Sequence, residues 1–193
     1  MRKARAAPAL VLLFILPACH SRWPAKVLGD GIPISSKPID GSIVQLRAMP
    51  RPSGIDDFNA PRVPAERNVY RVRAELLRFT LSDDGDIHLA IAQPGNRAAT
   101  MIAEIPDPAR MNGAPAKYRD EVGKTRADFI RVLGAPRLDR WQTVNRQVTV
   151  TGPIFFDALF GQVGGPAGGV SNGIEIHPVL RIDLNPRQGK MPR

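Results

Sequence analysis

The 193-residue chain has a single cysteine, Cys19, and only three histidines, His20, His88 and His177. One cysteine permits no disulfide within the chain and no multi-thiolate zinc site. After the first twenty residues no apolar run approaches the ~20 residues that a membrane-spanning helix needs. Nucleotide and acyl-transfer signatures are missing too. The fragment "VGKT", Val122 to Thr125, lacks the earlier glycine of a P-loop, because position 118 is Tyr118. Ser171 has no G-x-S-x-G context, so a serine nucleophile has no support. Aromatic residues make up 6%, and the strand faces expected to meet a ligand lack the rings on which nucleic-acid bases would stack. Acidic residues are in the minority, 18 against 27 Lys and Arg, giving a formal charge of +9.

What is present begins with an export signal. In "MRKARAAPALVLLFILPACHS", Arg2, Lys3 and Arg5 form a basic start and Ala9 to Leu16 an apolar stretch, followed by small residues. The signal is read over 1–18. Its end, "LPAC", resembles the bacterial lipobox, and the resemblance implies a diacylglycerol on Cys19 as the first mature residue. The alternative is an ordinary signal peptide and plain secretion. Acylation would also remove a lone thiol from an oxidising compartment and would exclude Cys–His catalysis. Without residues 1–18 the charge falls to about +6, a mild basic excess that suits anionic lipid, envelope polymer or nucleic acid but fits generic surface charge better than any one of them.

Residues 19–66 hold seven prolines after the cysteine and little periodicity, which reads as a tether from the membrane to the domain. Within it, "SIVQLRAM" suits a short strand or a turn of helix. The domain spans 67–185. "VYRVRAELLRFTLS" alternates as a long strand, "DDGD" turns, "IHLAIAQ" and "TMIAEIP" follow as strands two and three. Pro115 opens a helix carrying Tyr118, Val122, Phe129, Ile130 and Leu133 at helical spacing, and Gly134 and Pro136 close it. "RQVTVTGPIFFDAL" and "IEIHPVLRIDL" make strands four and five, separated by a glycine-rich loop, and 186–193 is a disordered basic tail. The order β-β-β-α-β-β predicts a mainly β fold with one helix, a five-stranded OB-like Greek-key barrel.

The words "YRVRAEL", "SDDGDIHLAI", "MIAEIPDP", "VTGPIFFD" and "NGIEIHPVL" resemble a family of small exported bacterial proteins with an OB-like domain. The resemblance spans about 68–184 and brings no activity with it. In relatives of this pattern a His-Gly-Gln often stands where this chain has Phe160-Gly161-Gln162, and that departure counts against an active enzyme.

Two acid-x-His pairs stand out, Asp86/His88 and Glu175/His177. Alternation sends Ile87, Leu89 and Ile91, and Ile174 and Ile176, into the core, and therefore Asp86, His88, Glu175 and His177 to the opposite face. Such pairs most often serve as structural hydrogen bonds that orient a turn; the functional reading is that, with Glu104 from strand three and Asn172 from the loop, they form the outward binding face of the barrel. His88, His177, Glu175 and Asp86 could also hold a divalent metal, because imidazole and carboxylate suit Zn²⁺ or Mn²⁺. Against that, the two histidines are expected at opposite ends of their strands, ~10 Å or more apart at ~3.3 Å per residue. The signal, the tether, the strand order and the missing catalytic signatures favour a non-catalytic envelope binding or interaction module. A metal-dependent hydrolase, such as a nuclease, is the alternative, and nucleic-acid capture a second.

Overall fold

The computed structural model describes residues 22–57, 59–159 and 170–186. The signal, Cys19, Phe160 with the glycines up to 169, and the basic tail from 187 lie outside the described residues.

The fold is mainly β, a seven-stranded mixed sheet with few helices. Its strands are β1 (Ile39–Gly41), β2 (Val69–Leu81), β3 (Ile87–Gln93), β4 (Asn96–Ile105), β5 (Gln142–Phe156), β6 (Ile174–Ile176) and β7 (Arg181–Asp183). They run in the order β1-β2-β3-β4-β6-β5-β7, and β2 also pairs with β5. The β2–β3, β3–β4, β2–β5 and β5–β6 pairs are antiparallel, whereas β4 and β6 are parallel. Parallel neighbours need a long connection, and here it contains the main helix and β5. Alternating Val72, Ala74 and Leu76 of β2, Ile87, Leu89 and Ile91 of β3, and Val148 and Val150 of β5 fill the core.

The main helix, Ala116–Leu133, starts after Pro115 as N-cap and ends at Gly134, whose φ of 87° suits glycine. It buries Val122, Thr125 and Phe129. Phe129 meets Phe79 of β2 edge-on, with centroids 5.0 Å apart. Thr125 Oγ1 donates to the Leu180 carbonyl at 2.6 Å.

The expected tether departs from its prediction. Its described residues pack onto the sheet and contribute Val27, Leu28, Ile43, Leu46 and Ile55 to the same core. Prolines prevent a long element here, but short ones form between them. They are α1 (Trp23–Lys26), β1, α2 (Ile43–Arg47) and a 3-10 turn at Pro64–Arg67, so that the main helix is α3. Ser42 and Gln45 close a capping box on α2. β1 adds to the edge of β2 in parallel, Ile39 opposite Tyr70. The strongest fastening is Arg22, fully buried against Glu66 in a bidentate pair of 2.9 and 2.6 Å. Its remaining donors reach the carbonyls of Ala60 (3.1 Å), Pro61 (3.1 Å) and Phe156 (3.3 Å).

The last expected strand is also different. It divides into β6 and β7 around Pro178, which has no N–H to give to a ladder. The residues between bond elsewhere: His177 N to Pro153 O, Val179 N to Glu104 O, Leu180 N to Thr151 O.

Candidate functional site: a buried acid–histidine–lysine cluster

The residues expected on an outward face are turned inward. Asp86 and His177 have no exposed surface, and Glu104 and Glu175 keep 2% and 5%. The alternation is as expected, with these side chains opposite the Ile and Leu of their strands. The face they occupy is covered by α1 and the chain around it. His88 alone stays half-buried, with 27% of its side chain exposed. Asn172 is buried and structural: its Nδ2 donates to Met49 O at 2.8 Å and its Oδ1 accepts from Ile174 N at 3.1 Å.

The two pairs do converge, although not as sequence neighbours. His88 stands opposite Glu104 across the β3–β4 ladder, with Nε2 3.2 Å from Glu104 Oε1. The other oxygen, Oε2, lies 3.3 Å from His177 Nε2. Glu104 thus bridges the histidines, which corrects the expectation that they lie at opposite ends. The partners are exchanged as well. Asp86 Oδ2 faces His177 Nε2 at 3.1 Å, and Glu175 faces Lys26 Nζ at 3.3 Å. Asp86 ends the turn before β3 and is fixed from just past the end of β4: its Oδ1 accepts from Asp107 N at 3.1 Å. Arg126 pins the same turn by donating to Gly85 O at 2.8 Å and Ile105 O at 2.9 Å.

Local sequence gave no sign of Lys26 and Asp157. Lys26 ends α1 and carries its ammonium to 3.1 Å from Glu104 Oε2 and 3.1 Å from Asp157 Oδ2. Nothing in the spacing of "RWPAK" marks this lysine, because it reaches the cluster only through docking of a distant segment. Asp157 follows the last residue of β5, one step beyond an apolar run.

Four carboxylates, Asp86, Glu104, Asp157 and Glu175, therefore surround two buried bases, Lys26 and His177. Burial would lower the Lys26 pKa, but Glu104, Glu175 and Asp157 together outweigh it and hold the ammonium well above its ordinary value. Burial pushes Glu104 up, but His88, Lys26 and His177 prevail and keep it ionised, well below the usual carboxylate range. Glu175 goes the other way. Burial and then the neighbouring Glu104 charge drive it well above that range. For His177, burial and Lys26 act downward and the contacts with Asp86 and Glu104 upward, leaving it raised to about 9.

The tautomer of His177 follows from its neighbours. Its Nδ1 lies 2.9 Å from the Lys26 carbonyl oxygen, and a carbonyl can only accept, so Nδ1 carries a proton. Its Nε2 faces two carboxylate oxygens. Donor atoms of Asp86, Glu104 and His177 lie within 4.8 Å of one another. Of the four expected metal ligands, Asp86 and His177 belong to this group, and Glu104 takes the place of His88 and Glu175.

Outside the cluster, a shallow depression of about 300 Å³ is lined by Arg71, Arg73, Thr149, Thr151, Arg181, Asp183 and Pro186, across β2, β5 and β7. No family model, curated protein or solved structure matches the chain, and the reading of both sites rests on their own geometry.

Proposed function

We propose that the protein is an exported, non-catalytic binding or interaction module of the cell envelope, anchored through an acylated Cys19. The domain is read as an OB-like barrel. In support, the pairings β2–β3, β3–β4, β4–β6, β6–β5 and β5–β2 form a circuit, and α3 stands between β4 and β5.

The observation that carries the non-catalytic reading is burial. A hydrolase needs its acids and bases open to substrate and water. Here they are covered by the chain's own N-terminal segment, with Lys26 inserted among the carboxylates. Among the described residues, a surface open to a ligand is the basic depression on β2, β5 and β7. Arg71 and Arg181 pair there with Asp40 and Glu121, at 2.6 and 2.9 Å, through largely exposed side chains. Such pairs are worth only ~0–1 kcal/mol and exchange readily for an anionic ligand. The depression has no aromatic residue, so an anionic envelope polymer or lipid surface suits it better than single-stranded nucleic acid, which wants stacking.

The test is titration with polyphosphate and with an oligothymidylate across a salt series. Binding of polyphosphate that weakens steeply with salt and falls further in Arg73→Glu is the expected result. Binding that ignores both salt and Arg73→Glu refutes the assignment of this surface.

A further inference from the structure

We propose that Asp86, Glu104 and His177 form a binding site for one divalent first-row cation of the Zn²⁺ or Mn²⁺ class, with Lys26 as the resident competing cation. This goes beyond the binding-module reading and stands or falls separately from it.

Three observations lead to it. The first is a matter of distances. An imidazolium hydrogen-bonded to a carboxylate closes to ~2.7–2.9 Å. His177 Nε2 instead stands 3.1 Å from Asp86 Oδ2 and 3.3 Å from Glu104 Oε2. Around a metal with ligand bonds of ~2.0–2.1 Å, the edges of a tetrahedron are ~3.3 Å. The two His177–carboxylate separations match such edges, and the third, between Asp86 and Glu104, is within 4.8 Å.

The second is orientation. His177 gives its Nδ1 proton to the Lys26 carbonyl at 2.9 Å, which aims the other nitrogen at the two carboxylates. A metal-bound histidine is held in this way, its second nitrogen donating to a carbonyl or carboxylate, and an ion seated here displaces the Nε2 proton, which is released to solvent. The Asp86 ligand is likewise fixed from behind, its Oδ1 accepting from Asp107 N.

The third is an unmet need. Glu104 Oε2 is buried and held only by loose, poorly aligned ion pairs, with Lys26 at 3.1 Å and His177 at 3.3 Å. The nearby Glu175 Oε1 is in the same condition. A buried carboxylate oxygen without a hydrogen bond is expensive, and a cation seated between Glu104, Asp86 and His177 would satisfy it. The donor set is one nitrogen and two oxygens without sulfur, which selects Zn²⁺, Mn²⁺ or Co²⁺ over a soft ion.

The experiment titrates chelator-dialysed protein with Co²⁺, followed by visible absorption and calorimetry, with Zn²⁺ as competitor. One equivalent of Co²⁺ with d–d bands that Zn²⁺ removes is expected. Asp86→Asn and Glu104→Gln each weaken binding by about tenfold or more. Lys26→Met strengthens it by about tenfold or more, because one positive charge leaves a site surrounded by carboxylates. A purely structural ion network has no reason to give that opposite sign. Absence of binding, retention of affinity in both carboxamide variants, or weaker binding in Lys26→Met overturns the proposal. Should the variants fail to fold, ¹⁵N spectra of the imidazoles in the unaltered protein decide it. Stoichiometric Zn²⁺ must move the Nε2 resonance of a buried, Nδ1-protonated imidazole, and an unmoved resonance overturns the site.

Discussion

Arg22 offers the sharpest test of how the N-terminal segment is held. Its guanidinium has five N–H donors, and five acceptors meet them: both oxygens of Glu66 and the carbonyls of Ala60, Pro61 and Phe156. Glu66 in turn accepts from Val63 N and Phe156 N, both at 3.0 Å. Arg22→Met removes all five bonds and leaves the buried Glu66 carboxylate without a bonded counter-ion, Arg62 acting on it only through space, which costs ~3–5 kcal/mol. Glu66→Gln keeps an oxygen for only one of the two amides, because Val63 N bonds Oε2 and Phe156 N bonds Oε1, and it leaves the guanidinium short of charge, at about 3 kcal/mol. In the double variant the neutral glutamine no longer needs the cation. The combined loss should stay near 5 kcal/mol instead of the sum of the single losses, a coupling of about 1–3 kcal/mol. Against a total stability of ~5–15 kcal/mol the single change is large. Urea denaturation followed by circular dichroism measures it: for a slope of about 2 kcal/mol/M, Arg22→Met lowers the midpoint by about 2 M. A shift under about 0.5 M, or losses that add to within about 0.5 kcal/mol, would refute the claim that a complete buried pair fastens this segment.

Glu175 and Glu104 should respond oppositely to the same chemical change. Glu175, driven toward its neutral form, tolerates Glu175→Gln within about 1 kcal/mol, whereas Glu104→Gln, which discharges the bridge between both histidines and Lys26, costs about 2–3 kcal/mol by denaturant titration. Equal losses would contradict the assigned ionisation. Gly152 of β5 lies beneath Pro178, where an added Cβ would come within 2.7 Å of Ile176 Cγ2 and closer still to the Pro178 carbonyl. Gly152→Ala is therefore expected to lose about 2–3 kcal/mol, measured as a fall in Tm, and an unchanged Tm would mean the β5–β6 crossing is looser than described.

How much was legible depends on where the information lay. The ends of α3 coincide with Pro115 and Gly134, residues whose backbone preferences act locally, and β3 follows the alternation of "IHLAIAQ". Alternation also put Asp86, His88, Glu175 and His177 on the face opposite the Ile and Leu side chains. It could not say what covers that face. The cover comes from residues 22–57, whose short elements have too few turns for any period to register and whose docking depends on Arg22 and Lys26 finding partners 44 to 151 residues away. Strand spacing misjudged the two histidines because it took β6 as part of one long strand. Its pairing with β4, Glu175 opposite Ile102, instead brings His177 next to Glu104.

The docked segment also changes the meaning of the chain's start. A free tether of nearly fifty residues would let the domain roam far from a membrane. With Arg22 already locked into the fold, only three residue steps separate it from Cys19, a reach of at most about 11 Å when fully extended. If Cys19 bears the proposed acyl chains, the domain rides on the bilayer like a buoy on a short mooring. Whatever it meets must then lie within a molecular diameter of the lipid headgroups.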